Sequence, residues 1–398
     1  MSKIIKILAV AAIIIFCLQV FLDNKADVDL WGNTGFVTAL PWQADFKYEN
    51  TFSFTEPQHP WINHEWLSQY ILHTTHRLFG NMGLLLLKGI LGLCVVYMIH
   101  SAMKETCKVG AVKFLFLLLV ISVMGYGFST RPHLFTYLLY AFFILSLRKL
   151  YLNNIKFVLL FGLLGTLWAN LHGAFFIGAL LLAIYFAVSL VQEKSKRSSN
   201  NLALLAMAIA LFVAATFINP YGARLWNFLY YSTAKFRPYL SEWAPCLSLA
   251  YLGEHMDFVV LSLISLLAVY FSKKKKDVAL VWILGIVFVS AVAIRRNIPL
   301  FAITAGFIVP EHLESAAGKT VKKIFSRFSQ QVLAIALSIF VIFSMWGTLF
   351  FNKTNPVEIE IPQDQFPVSV ISFMRINEIS GNALVFFDWA EYCIRELY

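Results

Sequence analysis

The chain has 398 residues, 59% of them hydrophobic and 14% charged, with 37 Phe, 16 Tyr, 10 Trp and a formal net charge of +10. Soluble domains carry roughly 45–50% apolar and about 25% charged residues. The composition therefore excludes a disordered chain, a nucleic-acid-binding domain and an ordinary cytosolic enzyme, and the basic balance is read as membrane topology.

Apolar runs of spanning length fall at about 4–22, 81–100, 112–128, 134–152, 156–173, 174–191, 202–218, 257–272, 278–294, 298–310 and 331–351. They predict an all-α polytopic membrane protein with about eleven transmembrane helices, 298–310 being the shortest. Lys3 and Lys6 precede the first run, but Asp23, Asn24 and Lys25 follow it in place of a small-residue cleavage site. It reads as an uncleaved first span, not a signal peptide.

With the N-terminus in the cytoplasm, 19 of the 32 Lys and Arg fall in short cytoplasmic segments, among them Lys194, Lys196, Arg197 and the run Lys273 to Lys276. This is the positive-inside pattern, and it predicts an extracytoplasmic C-terminus. Acids distribute the opposite way, 17 of 22 lying outside. Of the five Cys, only Cys246 and Cys393 share the outer side, and neither composition nor spacing calls for a disulfide or a metal site.

The longest loop between spans, 23–80, reads as an extended stretch with two amphipathic helices, near 30–40 and 63–79, lying in the membrane interface. The chain divides into a transmembrane core, 1–351, and an extracytoplasmic segment, 352–398. In the latter, Pro367 opens a helix over 368–377 that Gly381 ends, and 383–387 reads as a strand. The pattern stops in mid-element at Tyr398, which predicts a short or truncated domain.

Six polar clusters fall at the outer ends of the predicted spans. Asp27 and Asp29 alternate in Ala26-Asp27-Val28-Asp29-Leu30-Trp31. In an extended segment they point the same way, suited to a divalent cation or a base, or else they cap the helix behind them. His59, His64 and Glu65 sit among Trp residues in His59-Pro60-Trp61-Ile62-Asn63-His64-Glu65-Trp66. Asn63 suits a cap there, and adjacent His and Glu on one helix do not face each other. Arg131 and His133 open the fourth span; Asn170 and His172 form the turn after the fifth. Tyr221 and Arg224 follow Asn219-Pro220 at the end of the seventh, and Glu242 lies in the next loop. Arg295 and Arg296 close the ninth. Two adjacent Arg on the outer side run against the positive-inside bias and call for an anionic partner, either lipid headgroups or a substrate phosphate.

The ordered string Asp-x-Asp-Leu-Trp (Asp27 to Trp31), His-Glu-Trp-Leu (His64 to Leu67), Arg-Pro-His-Leu-Phe (Arg131 to Phe135), Asn-Leu-His-Gly (Asn170 to Gly173), Asn-Pro-Tyr-Gly (Asn219 to Gly222) and Glu-Trp (Glu242-Trp243) resembles the GT-C superfamily of membrane glycosyltransferases, in an uncharacterised bacterial branch. The resemblance spans about residues 1–300. It implies a multi-pass protein of the bacterial inner membrane that moves a sugar from a polyprenyl-phosphate-linked donor to an envelope acceptor (glycan, lipid or protein) at the extracytoplasmic face. It also implies a catalytic carboxylate, Asp29 first and Asp27 second; the chain departs from many members in carrying Asp29-Leu30 where they have Asp-Glu. Arg131, Arg295, Arg296 and Arg224 would then bind phosphate, and His64, Glu65, His133, Asn170, His172, Tyr221 and Glu242 the substrate. A divalent cation (Mg or Mn) on the Asp pair is compatible with this chemistry but not required by it. A transporter or flippase of lipid-linked saccharides and a non-catalytic envelope-assembly protein are the alternatives; a flippase would need polar groups on both faces.

Overall fold

A computed structural model of the chain describes residues 3–39, 52–56, 61–148, 155–193, 199–235, 240–248, 250–350 and 357–397. His59 and the basic residues Lys194, Lys196 and Arg197 lie outside the described residues.

Among the described residues fifteen α-helices follow one another: α1 (Lys3–Phe21), α2 (Leu30–Ala39), α3 (Trp66–Thr106), α4 (Gly110–Gly125), α5 (His133–Arg148), α6 (Ile155–Leu171), α7 (Phe176–Glu193), α8 (Ser199–Ala215), α9 (Ala223–Ala234), α10 (Met256–Phe271), α11 (Val278–Ala293), α12 (Ile298–Phe325), α13 (Gln330–Phe350), α14 (Val368–Ile376) and α15 (Ala390–Leu397). Among the described residues there is no β-sheet, only one isolated parallel bridge between Lys25 and Glu360.

Among the described residues four helical stretches are long and apolar enough to cross a membrane: Lys3–Phe21, Trp66–Thr106, Gly173–Val191 and Leu252–Phe271. A fifth candidate is the pair Arg295–Phe325 and Gln330–Trp346, bent by 105° at its break. Gly110–Gly125, His133–Arg148, Val158–Leu171, Leu202–Ala215 and Val278–Ala293 are apolar but shorter. Leu163, Leu263, Leu266, Trp282 and Val289 are all exposed on these helices. Such a belt would be untenable in water and is at home in lipid, so the chain has the build of a membrane protein.

At the centre is α12, which packs against α3, α4, α5, α10 and α11. Every residue from Ile298 to Pro310 is buried. A helix apolar on all sides is one that neighbours surround, so the shortest predicted span is the pivot of the bundle. It continues past Glu311 as an amphipathic helix, the part that an apolar run cannot register. At the head of α11, the Asp277 carboxylate accepts from the N–H groups of Ala279 (3.0 Å) and Leu280 (3.2 Å), which satisfies two orphan donors.

The two helices predicted in the long loop are present. The first is α2. The second is the opening arm of α3, which turns into the buried arm at Gly80, where φ is +61° and ψ −157°. Only Gly takes that backbone without strain, and a side chain there would meet nothing within 4 Å.

Two expectations for the tail fail. Residues 383–387 form no strand: 382–386 are irregular and exposed, with Leu384 94% accessible. An apolar run with β propensity needs a neighbouring strand to become one, and none of the described segments offers an edge there. The helix over Val368–Ile376 forms as expected but ends at Asn377 and at Glu378, whose φ is +52°, before Gly381 is reached. All five cysteines are free.

The polar residues are not confined to one end. At the opposite end of α5 from Arg131, Arg148 pairs with Glu311 at 3.3 Å, and Lys274 approaches the same carboxylate at 3.8 Å. Glu314 accepts from the backbone N–H groups of Lys108 and Val109, capping α4. This second cluster joins chain segments to one another.

Candidate functional site

The segment between α1 and α2 carries Asp27 and Asp29, and three ties fix it. Buried Lys88 on α3 donates its ammonium to the Asp23 carbonyl. The Glu360 N–H donates to the Asn24 carbonyl and the Ala26 N–H to the Glu360 carbonyl, both at 2.8 Å. Asn33 Nδ2 donates to the Asp29 carbonyl at 2.7 Å.

From that last tie a buried polar chain continues. Gln69 Nε2 donates to Asn33 Oδ1 at 3.2 Å, Asn63 Nδ2 to Gln69 Oε1 at 2.6 Å, and the Asn63 N–H to the Tyr221 hydroxyl at 3.0 Å. Buried amides must be paired, and these pairings lock α2, the head of α3 and the turn before α9 into one geometry. Asn63 Oδ1 accepts from the Glu65 N–H at 3.3 Å, a turn ahead of the helix; the N-cap of α3 is Glu65, not Asn63 as expected.

Arg131, in the turn before α5, is the hub. Its Nε lies 3.3 Å from Asp27 Oδ1, its Nη2 pairs with Asp29 Oδ2, and its Nη1 donates to Glu242 Oε2 at 3.1 Å. Arg296 Nη1 donates to the other oxygen of Glu242 at 2.7 Å. One carboxylate thus bridges two guanidiniums. Burial disfavours the charge of Arg131, but Asp27, Glu242 and Glu391 outweigh it and hold its pKa above the usual value. Burial likewise opposes ionisation of Glu242, yet Arg296 and Arg131 prevail and keep it below the usual carboxylate range.

The two aspartates have different environments. Asp27 Oδ1 accepts the Asp29 N–H at 3.0 Å, so Asp27 does the turn-forming work expected of a capping acid. Its side chain is 16% accessible, against 33% for Asp29. Asp29 is the carboxylate within reach of a ligand.

Beside this cluster lies a second relay. Trp168 Nε1 donates to Thr136 Oγ1 at 2.8 Å, and Thr136 Oγ1 lies 2.9 Å from His172 Nδ1. The Ala174 N–H also donates to His172 Nδ1, at 3.2 Å. Since Nδ1 accepts, the ring proton sits on Nε2, 3.2 Å from Glu65 Oε1. The Glu65 carboxylate beside neutral His172 also lies 3.6 Å from His64 Nε2. Because Glu65 precedes α3 as its N-cap, the side chains of His64 and Glu65 meet where two adjacent residues within a helix would not.

Other predicted site residues stand outside this cluster, engaged with neighbouring segments or exposed. Asn170 is fully engaged: Nδ2 donates to the carbonyls of Thr166 (2.7 Å) and Ile218 (2.8 Å), and Oδ1 accepts from Trp66 Nε1 at 2.9 Å. His133 Nε2 donates to the Gly127 carbonyl at 2.6 Å. Arg295 turns away from its neighbour Arg296: it pairs with Glu254 at 3.2 Å and stacks 3.8 Å from the Tyr251 ring centroid. Arg224 is exposed on the first turn of α9, with no ion pair to the cluster among the described residues.

One site residue was not foreseen. Glu391, on α15, packs against Gly32 of α2, where any side chain would collide with its carboxyl. It feels the charges of Arg131, Glu65 and Asp27. Its sequence surroundings carry no signal for this placement, which is purely tertiary.

As arranged, the Asp pair is a poor cation site. Arg131 spans both carboxylates, and a divalent ion would have to displace it. Among the described residues no group of three or more His, Cys, Asp or Glu is disposed to hold a metal. The sequence matches no protein-family model and no characterised protein.

Proposed function

We propose that this chain is an integral-membrane glycosyltransferase of GT-C type that takes a sugar from a polyprenyl-phosphate carrier at the extracytoplasmic face of the inner membrane. The observation carrying this reading is the cluster of Asp27, Asp29, Arg131, Glu242 and Arg296, assembled from four separate stretches of chain at one end of the helix bundle. It juxtaposes an accessible carboxylate with two guanidiniums that a single bidentate oxyanion bridges, the arrangement that suits a phosphate.

The chemistry then divides among the residues. Asp29 takes the proton of the acceptor hydroxyl as its oxygen bonds to the anomeric carbon of the sugar. The bond from that carbon to the carrier phosphate breaks, and the phosphate leaves with the electron pair. Arg131 and Arg296 meet the developing charge in a partly dry site. For that, the phosphate replaces the Glu242 carboxylate on the two guanidiniums. His172 and Thr136 orient Glu65, which with His64 is placed to bind sugar hydroxyls. Arg295 ties Ala244, through its backbone N–H, and Glu254, through its guanidinium, to the start of α12.

The polar cluster around Arg148 and Glu311 removes one argument against a flippase, which also needs polar groups at both ends. It does not favour one, because its groups cap helices and pair with each other. The direct test is mass spectrometry of lipid-linked sugars and envelope glycans from cells with the gene, without it, and with the Asp29→Asn variant. Loss of a glycan with accumulation of its lipid-linked precursor in the last two supports the transferase. Unchanged glycans in both overturn it.

The reading includes eleven spans with the N-terminus inside. Single cysteines introduced at Lys275 and Leu384, both exposed, are expected to label from the cytoplasmic and extracytoplasmic sides respectively. Labelling of Leu384→Cys from the cytoplasm alone would put the Asp29 site on the wrong face.

A further inference from the structure

The tail from Val357 to Leu397 folds back on the segment that bears the acidic pair. The Lys25–Glu360 bridge holds one end of the tail. A second apolar cluster, separate from the main core, joins Ile359, Phe366, Ile371, Tyr392 and Cys393 to Ala26, Leu30, Trp31, Leu72 and Leu84. Arg395 stacks 3.7 Å from the Trp31 ring centroid. These contacts bring α15 onto α2 and deliver Glu391 to the cluster around Arg131.

The setting of Glu391 is unusual for a charged group. Its carboxyl lies against the Gly32 backbone, and Oε2 is buried with no hydrogen-bond partner among the described residues. The charged groups facing it across the site are Arg131, Glu65 and Asp27. Within the tail, Arg375 pairs with Glu396 at 2.8 Å and Arg395 lies 3.7 Å from the same carboxylate, so those charges are engaged elsewhere. Arg131 is itself already shared among Asp27, Asp29 and Glu242. An ionised carboxylate with an unpaired buried oxygen, placed among other carboxylates, is disfavoured by desolvation and by repulsion. Carrying a proton removes the charge and turns Oε2 from an orphan acceptor into a donor that awaits an acceptor.

We propose that Glu391 is a proton-bearing binding residue, which the C-terminal segment inserts into the site to donate a hydrogen bond to a phosphate oxygen of the ligand. This rests on the lipid-phosphate reading above. Its logic is one of charge. The cluster already holds more carboxylates than guanidiniums, and a phosphate adds more negative charge. A neutral Glu391 tolerates the phosphate and bonds to it; an ionised Glu391 repels it. Burial pushes the Glu391 pKa up to about 8, and Glu65 and Asp27 push the same way against the pull of Arg131. The raised pKa means that the neutral form prevails below that pH, and that phosphate binding fades as pH rises through it.

The test uses the full-length protein in detergent with farnesyl phosphate as the probe. In infrared difference spectra between wild type and Glu391→Gln, a protonated-carboxyl band should be present in wild type at pH 7 and absent from the variant. Wild-type affinity for farnesyl phosphate should fall by about tenfold between pH 7 and pH 9, since binding must restore one proton to a group of pKa near 8. Glu391→Gln, neutral and of the same shape, should bind with a flatter profile and keep its affinity at pH 9. A structural role alone would not produce that contrast. Absence of the band, or the same pH profile in both proteins, overturns the assignment of Glu391 even where the phosphate binds. A band without phosphate binding by wild type at any pH overturns the lipid-phosphate reading, and with it the donor role of Glu391.

Discussion

Replacing Asp29 by Asn is expected to lower sugar transfer by about 100-fold or more, the lower end of what a positioned general base contributes, while the protein still folds and binds the lipid donor. The geometry separates Asp29 from Asp27. Asp27 accepts the Asp29 N–H and lies against Arg131 Nε, so its Oδ1 serves both the turn and the hub. Asp29 is twice as accessible, and its backbone carbonyl, not its carboxylate, carries the tie to Asn33. Asn is nearly isosteric and keeps one acceptor for Arg131, but it cannot take a proton. Asp27→Asn should therefore show itself first in stability, through weakened contacts at the start of α2, and less in turnover of the folded fraction. Transfer by purified variants with a defined lipid-linked donor, set beside their thermal unfolding, checks the pair. Full transfer by Asp29→Asn with none by Asp27→Asn would exchange the two roles. Full transfer by both would remove the acidic pair from the chemistry.

Much of the fold was legible because lipid-crossing helices advertise themselves. Each apolar run in the sequence has a helix under it, and the kink at Gly80 falls between the two elements read from the long loop. The count of spans is another matter, since helices such as Gly110–Gly125 are shorter than a bilayer requires by themselves. What apolar runs cannot express is rank. The run 298–310 was the shortest predicted span, yet α12 is the helix around which the others pack. Centrality depends on what surrounds a helix, and a single sequence does not carry that. The tail failed for a related reason: residues 383–387 have strand composition, but no described segment offers an edge to pair with.

The site was legible as a list and not as a map. Short motifs flagged Arg131, Glu242, Asp29, Glu65 and His172 as polar residues at the ends of apolar runs, and the structure brings these together. The same criterion flagged Asn170, His133 and Arg295, whose hydrogen bonds and ion pairs are spent on carbonyls and a neighbouring loop. Chemical type alone cannot separate a ligand-facing group from a strut. Adjacent Arg295 and Arg296 make the point: a turn of 3-10 helix sends one to Glu254 and the other to Glu242. Thr136 and Glu391 were missed outright. Thr136 looks like any small residue inside an apolar helix, and its role appears only when Trp168 and His172 arrive from α6 and the turn after it.

Changing Arg131 to Gln is expected to weaken binding of farnesyl phosphate by more than about tenfold, and Glu242→Gln is expected to strengthen it. The opposite signs follow from one arrangement. Arg131 holds Asp27, Asp29 and Glu242 together in a partly buried cluster. Without its charge these three acids repel one another and any incoming phosphate. Removing one partner from a buried charge cluster typically costs about 3–5 kcal/mol, so Arg131→Gln should also unfold at a lower temperature. Lys at this position should restore part of the stability through its charge. It should restore little of the binding, because three acceptors around one planar fork cannot be matched by a single ammonium. Glu242 is the other half of the argument. Its two oxygens bridge Arg131 and Arg296, the place that the phosphate needs. With Gln there, the bridge loses its negative charge, the ligand has less to displace, and affinity rises. Arg296→Gln should weaken binding with a smaller loss of stability, since Arg296 has one ion-pair partner in the cluster where Arg131 has three. Titrations of the three Gln variants and Arg131→Lys, each paired with a melting curve, decide the matter. Unchanged affinity in both Arg131→Gln and Arg296→Gln would return these residues to anchoring the loop through Glu242. Weaker binding in Glu242→Gln would mean that this carboxylate orients the two guanidiniums for the phosphate, and does not compete with it.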